Sequence, residues 1–451
     1  METYPVTLWF CTFGVGDGQD LASRGYIRAL LESKYENVVI SPRGTTIQHL
    51  DAPELAPFRD IIGYPTHLSP KLKRVEKGDP RIGKPWPHLD ESPMPIPAPA
   101  HAPDNSVNAH WVNEVQVGEV DQDYYNEHPE ARDPQFKTET ELVVLHYDPG
   151  QLARARDSLA REAPEGAPMV GITAWETDRV PAAIAQQLSD LDLLIVPSQH
   201  TADAFRRSGL DPECPLRVVP HALHMPALQE AEASRAAASS RSRYTFYTIG
   251  TNIPRKNLAA IIAAYCRAFG PAYDRVGLVI KTSGDLDSVK HLYRDGLNLA
   301  GVHGSPRIPI YGDVWPADKI RQLHLQSNCW VDATRGEGFG LGQLEAAAMG
   351  NPVITTGWGA QTEVLAGSGI MRTLIDWELE PIDPTMAEIG VYQADQKWAE
   401  PSIAGLADAM RRAAMERWSK SLSQARQIVD RYSLQRIGKE LAGALNSVKE
   451  A

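Results

Sequence analysis

Short apolar runs alternate with amphipathic stretches along most of the chain, in two blocks. In the first block, residues 6–13 (VTLWFCTF) read as a buried strand, followed by a glycine-rich turn, Gly14–Gly18, and a helix reaching about Leu31. Further strands are expected at 141–147, 168–175, 191–198 and 216–222, with helices such as 180–188 and 201–208 between them. The second block repeats the pattern, with strands at 244–250, 276–282, 308–312, 329–334 and 351–356 and helices at 258–269, 316–326 and 341–349. Continuous apolar strands separated by amphipathic helices predict a parallel sheet covered on both faces. Two doubly wound, Rossmann-like α/β domains facing a cleft are therefore expected, at residues 1–228 and 244–425. The small polar stretch 229–243 is the expected linker, and residues 426–451 form a last helix expected to pack back on the first domain.

One region breaks the alternation. Eight prolines between Pro80 and Pro103 forbid both helix and central strand, so an insertion spanning about 65–138 interrupts the first domain as a lid or long loop. The whole chain has 451 residues, 43% hydrophobic and 23% charged, which excludes wholesale disorder. Its net charge of −12 argues against holding nucleic acid by bulk charge. Cys11, Cys214, Cys266 and Cys329 form no CxxC pair, so buried free thiols in a reducing cytoplasm are expected. No stretch is long and apolar enough to predict a membrane span.

The sharpest chemical signal is residues 335–354, RGEGFGLGQLEAAAMGNPVI, directly after a predicted strand. Open α/β sheets bind ligands outside the carboxyl ends of their strands. There Gly336, Gly338 and Gly340 would let backbone approach a ligand, and the helix opening near Leu341 would turn free N–H groups toward an anion. Glu337 and Glu345 are eight residues apart, about two helical turns, and are expected to face one cleft. Two carboxylates beside exposed amides suit a ligand with several hydroxyls and a phosphate.

EGFGLGQLEAAAMGNPVI (337–354) resembles the E-x7-E signature of retaining GT-B glycosyltransferases, in particular glycosyltransferase family 4. In the same order as in that family come Ala174–Asp178 (AWETD), Val196–Ser198 (VPS), Val219–His221 (VPH) and the basic loop Ile249–Leu258 (IGTNIPRKNL). The resemblance implies a GT-B fold and transfer of a sugar from a nucleotide-diphosphate donor. It implies that Lys256, helped by Arg255, neutralises the donor diphosphate, and that Gly338, Phe339, Gly340 and Gly16 contact it. It further implies that Glu337 holds sugar hydroxyls, Glu345 the nucleotide ribose, and His146 the sugar near the reacting carbon. Catalysis would thus rest on Lys256, Glu337 and His146. Family members usually carry an arginine after the glycine of the basic loop; here Thr251 stands there.

Glu176 is read either as a helix cap or, with Asp17, as an acceptor-side residue. The glycines at 14–18 lack dinucleotide-fingerprint spacing, because the next glycine is Gly25. The triplets Asp121/Asp123, Asp190/Asp192 and Asp285/Asp287 do not end strands as a metal-binding DxD should, and the resembled fold uses no metal, so neither metal nor other cofactor is expected. The acceptor is a glycan, lipid or small molecule, or alternatively a hydroxymethylated base in DNA. Lys71, Lys73, Arg74, Lys77, Arg81 and Lys84 near Trp86 are either a solvated basic loop or a groove for a polyanionic acceptor such as nucleic acid. A non-catalytic nucleotide- or sugar-binding protein on the same scaffold is the reading from another class, and a nucleotide-sugar epimerase a third.

Overall fold

The computed structural model describes residues 7–12, 18–34, 38–43, 63–66, 71–74, 141–159, 166–223, 243–270, 274–301, 306–388 and 392–448. Two six-stranded, all-parallel sheets form the two domains. The first has strands β1 (Thr7–Thr12), β2 (Val38–Arg43), β5 (Leu142–His146), β6 (Met169–Ile172), β7 (Leu193–Val196) and β8 (Leu216–Val218), in the order β2-β1-β5-β6-β7-β8. Between β2 and β5 the chain makes a small antiparallel hairpin, β3 (Gly63–Thr66) with β4 (Lys71–Arg74). The second sheet has β9 (Tyr244–Ile249), β10 (Val276–Lys281), β11 (Ile310–Tyr311), β12 (Cys329–Val331), β13 (Val353–Thr356) and β14 (Met371–Ile375), in the order β11-β10-β9-β12-β13-β14. Both orders reverse direction once, at β1/β5 and at β9/β12, and such a reversal opens a crevice at the carboxyl ends of the strands.

The strands form where the apolar runs are, and β5, β6, β7 and β13 are buried along their full length. Helix starts follow local capping chemistry. Ser198 accepts from the Thr201 amide at the start of helix Gln199–Arg207, and Asp285 accepts from the Ser288 amide at the start of helix Leu286–Ala300. All four cysteines are free and buried. No described helix is long and apolar enough to cross a membrane.

Two features tie the domains together. Helix Leu434–Asn446, at the end of the chain, packs on helix Gly18–Glu32 of the first domain. A Cβ at Gly438 would lie 1.9 Å from the Ala29 carbonyl, so glycine is what allows this approach. The second feature is an antiparallel hairpin after β14, β15 (Trp377–Pro381) with β16 (Lys397–Pro401). Ile382, Met386, Tyr392 and Trp398 from this segment are buried in the same hydrophobic cluster as Val143, Leu145, Trp175 and Phe205 of the first domain. The stretch 377–401 thus follows the second sheet in sequence and completes the core of the first. The linker between the domains lies mostly outside the described residues.

Candidate functional site

The site is assembled at the carboxyl ends of β9 and β12, on either side of the second sheet's reversal. After β9 the chain passes Gly250 and makes one 3-10 turn, Pro254–Lys256, before helix Leu258–Phe269. After β12 it runs through Asp332, Thr334 and Glu337 into helix Leu341–Ala348, which opens at Gly340 with φ 92°. A pocket of about 30 Å³ between these loops is lined by Gly250, Lys256, Asp332, Thr334, Glu337 and the first-turn residue Gly342, among others.

Lys256 and Glu337 meet there: Nζ lies 2.6 Å from Oε1, which also accepts from the Thr334 hydroxyl at 2.9 Å. Arg255 approaches the other oxygen at 3.4 Å, donates to the Gly336 carbonyl at 2.7 Å and reaches Glu176 of the first domain at 3.3 Å. Burial alone would raise the Glu337 carboxyl, but Lys256 and Arg255 outweigh it and hold the group below its ordinary range. Burial also disfavours charge on Arg255, yet Glu176 and Glu337 keep its net shift upward. Beside them, burial pushes Asp332 up to about 6, against the hydrogen bonds it accepts from Trp330 and Thr355. A fixed ion pair thus stands beside the unpaired amides of a helix start, an arrangement that can exchange its internal carboxylate for an incoming anion.

The structure places other expected site residues differently. Gly336 and Gly338 face protein, not open space: a Cβ on Gly336 would lie 2.1 Å from the Glu176 carbonyl, and one on Gly338 2.9 Å from the Ala174 Cβ. Ser198 donates to the Gly338 carbonyl at 2.7 Å. These glycines let the loop dock on the AWETD segment of the first domain. Phe339 is buried, with its ring 4.8 Å from His221 and 5.8 Å from Tyr432. Glu176 does not cap a helix; it binds Arg255 and accepts from the Tyr392 hydroxyl at 3.1 Å.

Glu345 does not line the pocket with Glu337. It lies 3.7 Å from Nε2 of the buried His324, because the left-handed Gly340 interrupts the helical path between the two glutamates. His146 ends β5, as expected, but is 3% exposed. Its Nδ1 is 2.9 Å from the Ser23 hydroxyl, and its ring packs against Trp9, Tyr26 and His221; burial draws its pKa down to about 3. His146, His221 and Phe339 therefore form a contact chain from the first domain into the loop that carries Glu337. Gly16 and Asp17 lie outside the described residues. Of the basic stretch, Lys71, Lys73 and Arg74 are on β4, while Lys77, Arg81 and Lys84 lie outside the described residues.

The acidic triplets that are described have other partners: Asp285 caps a helix, Asp190 pairs with Arg156 and Asp192 accepts from the Met169 amide. Among the described residues no group of three or more His, Cys, Asp or Glu side chains is placed to hold a metal ion. Four contributors are not singled out in the sequence: Asp332, Thr334, Tyr392 and Glu400. Tyr392 and Glu400 come from the hairpin segment, whose exposed β15, with Trp377 and Leu379 open to solvent, gave no strong buried-strand signal.

Residues 243–378 match the family model for glycosyl transferases group 1. Most of the second domain is thus similar to the group 1 glycosyltransferase family. Over 98% of its length this chain superposes on 99% of Anabaena Alr3699/HepE, solved in complex with UDP and glucose, with a TM-score of 0.58 and 14% identity. It superposes over 99% on the whole of the sucrose-phosphate synthase of Thermosynechococcus elongatus, with a TM-score of 0.58 and 13% identity. A UDP-forming trehalose-phosphate synthase from Burkholderia xenovorans matches 69% of this chain and 75% of its own, with a TM-score of 0.50 and 14% identity. At such identities the likeness establishes architecture: the two-domain fold is GT-B. Among curated proteins, none is significantly similar in sequence. In this chain Lys256, Glu337 and the Leu341 helix start converge beside the reversal of the second sheet.

Proposed function

We propose that this protein is a retaining glycosyltransferase that moves a sugar from a nucleotide-diphosphate donor to an acceptor hydroxyl without a metal ion. The observation that carries this reading is the Lys256–Glu337 pair at the reversal of the second sheet, beside a helix N-terminus, in a group 1 glycosyltransferase domain. Supporting it, Anabaena Alr3699/HepE, of the same fold, was captured both with UDP and glucose and with UDP-glucose.

In this reading the donor diphosphate takes over Lys256 and the amides at the start of helix Leu341–Ala348. Freed from Lys256, Glu337 turns its carboxylate to sugar hydroxyls, while Arg255 and Thr334 keep it anchored. In the transfer step the bond between the anomeric carbon and the diphosphate oxygen breaks and the acceptor oxygen bonds to the same face of that carbon. The acceptor proton goes to the departing diphosphate. Lys256 and the helix amides stabilise the charge that the leaving group gains, which is where a fixed cation lowers the barrier most. His146 has Nδ1 committed to Ser23, which leaves Nε2 for the donor sugar. Docking of the Gly336–Gly338 loop on Ala174–Glu176 keeps water from the donor. The acceptor enters from the first domain, and the basic sequence from Lys71 to Lys84 would favour a polyanionic one.

A thermal-shift comparison of wild type and Lys256→Ala with UDP, GDP, ADP, CDP and dTDP tests the donor site. One nucleotide at about 100 times its dissociation constant should add roughly 2.7 kcal/mol to wild type and little to the variant. Equal stabilisation of both proteins refutes the assignment of Lys256. Stabilisation without release of nucleoside diphosphate, across glycan and modified-DNA acceptors, would favour the binding-protein reading, and retention is read from the anomeric configuration of the product.

A further inference from the structure

The turn that presents Lys256 is not held by its own domain core alone. Asn257, directly after Lys256, has the left-handed φ of 50°, and its side chain makes no capping bond to the helix it starts. Its side-chain amide instead donates to Glu400 on β16 at 3.3 Å. The other oxygen of Glu400 takes Nε of Arg335, whose guanidinium also donates to the Pro254 carbonyl and lies 5.3 Å from the Trp398 ring centroid. The Arg335 backbone completes the frame: its amide donates to the Arg255 carbonyl at 2.8 Å, and its carbonyl accepts from the Ala399 amide at 2.9 Å. Residues 254, 255 and 257 are therefore each bonded to Arg335 or Glu400.

The strand register supplies a second observation. Glu378 stands directly opposite Glu400 across the hairpin, and like charges in that position repel. A carboxylate at 400 is tolerable because Arg335 meets it. A glutamine would keep hydrogen bonding without that repulsion, so the acid is not explained by hairpin stability. The other end of the same hairpin grips the first domain: Lys397 and Asp178 exchange two bonds, at 2.7 and 2.9 Å, and Tyr392 binds Glu176.

We propose that Glu400 is a positioning residue for Lys256, holding Arg335 and Asn257 so that the 254–257 turn keeps its ammonium aimed at the anion pocket. Through the hairpin, the first domain thereby fixes the cation of the second. This inference rests on the reading of Lys256 as the cation of the donor diphosphate.

The test is isothermal titration of the full chain with UDP, GDP, ADP, CDP and dTDP, using Glu400→Gln, Glu400→Asp, Asn257→Gly, Lys256→Ala and the Glu400→Gln/Lys256→Ala double variant. Glycine at 257 keeps the left-handed backbone and removes only the contact to Glu400. Glu400→Gln and Asn257→Gly are each expected to weaken the nucleotide that wild type binds by roughly tenfold, the scale of a charge-assisted hydrogen bond. Glu400→Asp should recover part of the loss, and the double variant should bind no worse than Lys256→Ala, as residues acting through one group are not additive. Wild-type affinity in both Glu400→Gln and Asn257→Gly, with Lys256→Ala impaired, overturns this inference and leaves the donor reading standing. Additive losses in the double variant also overturn it. If no nucleotide binds wild type, or Lys256→Ala binds as wild type does, the donor reading and the inference fall together.

Discussion

Replacing Gly336 by alanine separates two explanations of the glycine-rich loop. If the glycine is there to admit a ligand, the unliganded protein should tolerate a methyl group and only nucleotide binding should suffer. The contacts say otherwise, because the new Cβ would sit 2.1 Å from the Glu176 carbonyl carbon's oxygen, on the opposite domain. Reaching ordinary contact at 3.4 Å requires the two loops to part by about 1.3 Å. The same displacement would stretch the 3.3 Å Arg255–Glu176 pair beyond salt-bridge range. The nearest obstructing group is the Glu176 backbone carbonyl, so no rotamer change relieves the clash, and a cost of about 1–3 kcal/mol for overpacking is expected. Gly336→Ala should therefore lower the unfolding midpoint without any ligand and raise the radius of gyration in small-angle scattering as the cleft opens. An unchanged midpoint and radius, with nucleotide affinity alone reduced, would refute this account and return the glycine to the ligand.

Two further outcomes follow from the packing. His146 and His221 are both buried neutral, the first drawn down to about 3 and the second well below its ordinary value, in each case chiefly by burial. The unfolded chain takes up these protons near pH 6.5 and the folded one does not, so full stability is present above that pH and is lost as pH falls from 6.5 toward 3. His146 accounts for up to about 5 kcal/mol of that loss, and denaturant titrations of His146→Asn should show a shallower acid slope than wild type; parallel slopes would remove the role of burial here. Gly438→Ala places a Cβ 1.9 Å from the Ala29 carbonyl and 2.2 Å from the Ser33 hydroxyl. It should release helix Leu434–Asn446 from the first domain, seen as faster proteolysis near residue 433, whereas unchanged cleavage kinetics would contradict that packing.

Much of this fold is legible in the sequence because burial writes itself as composition. Residues 142–145, 193–196 and 353–356 are apolar or β-branched over their whole length and buried on both faces, which is what a parallel sheet between helix layers requires. The basic loop and Glu337 are legible for a different reason: glycines, a cation and a carboxylate at strand ends have few structural uses together. What stays hidden depends on partners far away in the chain. Nothing in the sequence marks the WELEP strand, whose side chains are exposed, while its partner strand buries Trp398 against the first domain. Nothing near residue 146 announces that Ser23, Tyr26 and His221 will enclose the histidine.

The glycines show a more general limit, and it bears on how the site works. A missing Cβ looks the same in sequence whether a phosphate or another backbone fills the space, and here Gly336 and Gly338 are filled by the opposite domain. The loop that carries Glu337 is thus docked on one side by Ala174–Glu176, and on the other Arg335 and Glu400 hold the Lys256 turn. Both charged partners of the pocket are held within the second domain by frames that are in turn bonded to the first, through Gly338–Ser198, Arg255–Glu176 and Lys397–Asp178. Separating the domains would cost Arg255 its Glu176 partner and the hairpin that braces the Lys256 turn its anchor at Asp178. A domain 243–451 produced alone would keep every residue of the Lys256–Glu337 pair yet lose that framing. It should bind nucleotide more weakly than the full chain, and equal affinity would show that the second domain organises the pair unaided.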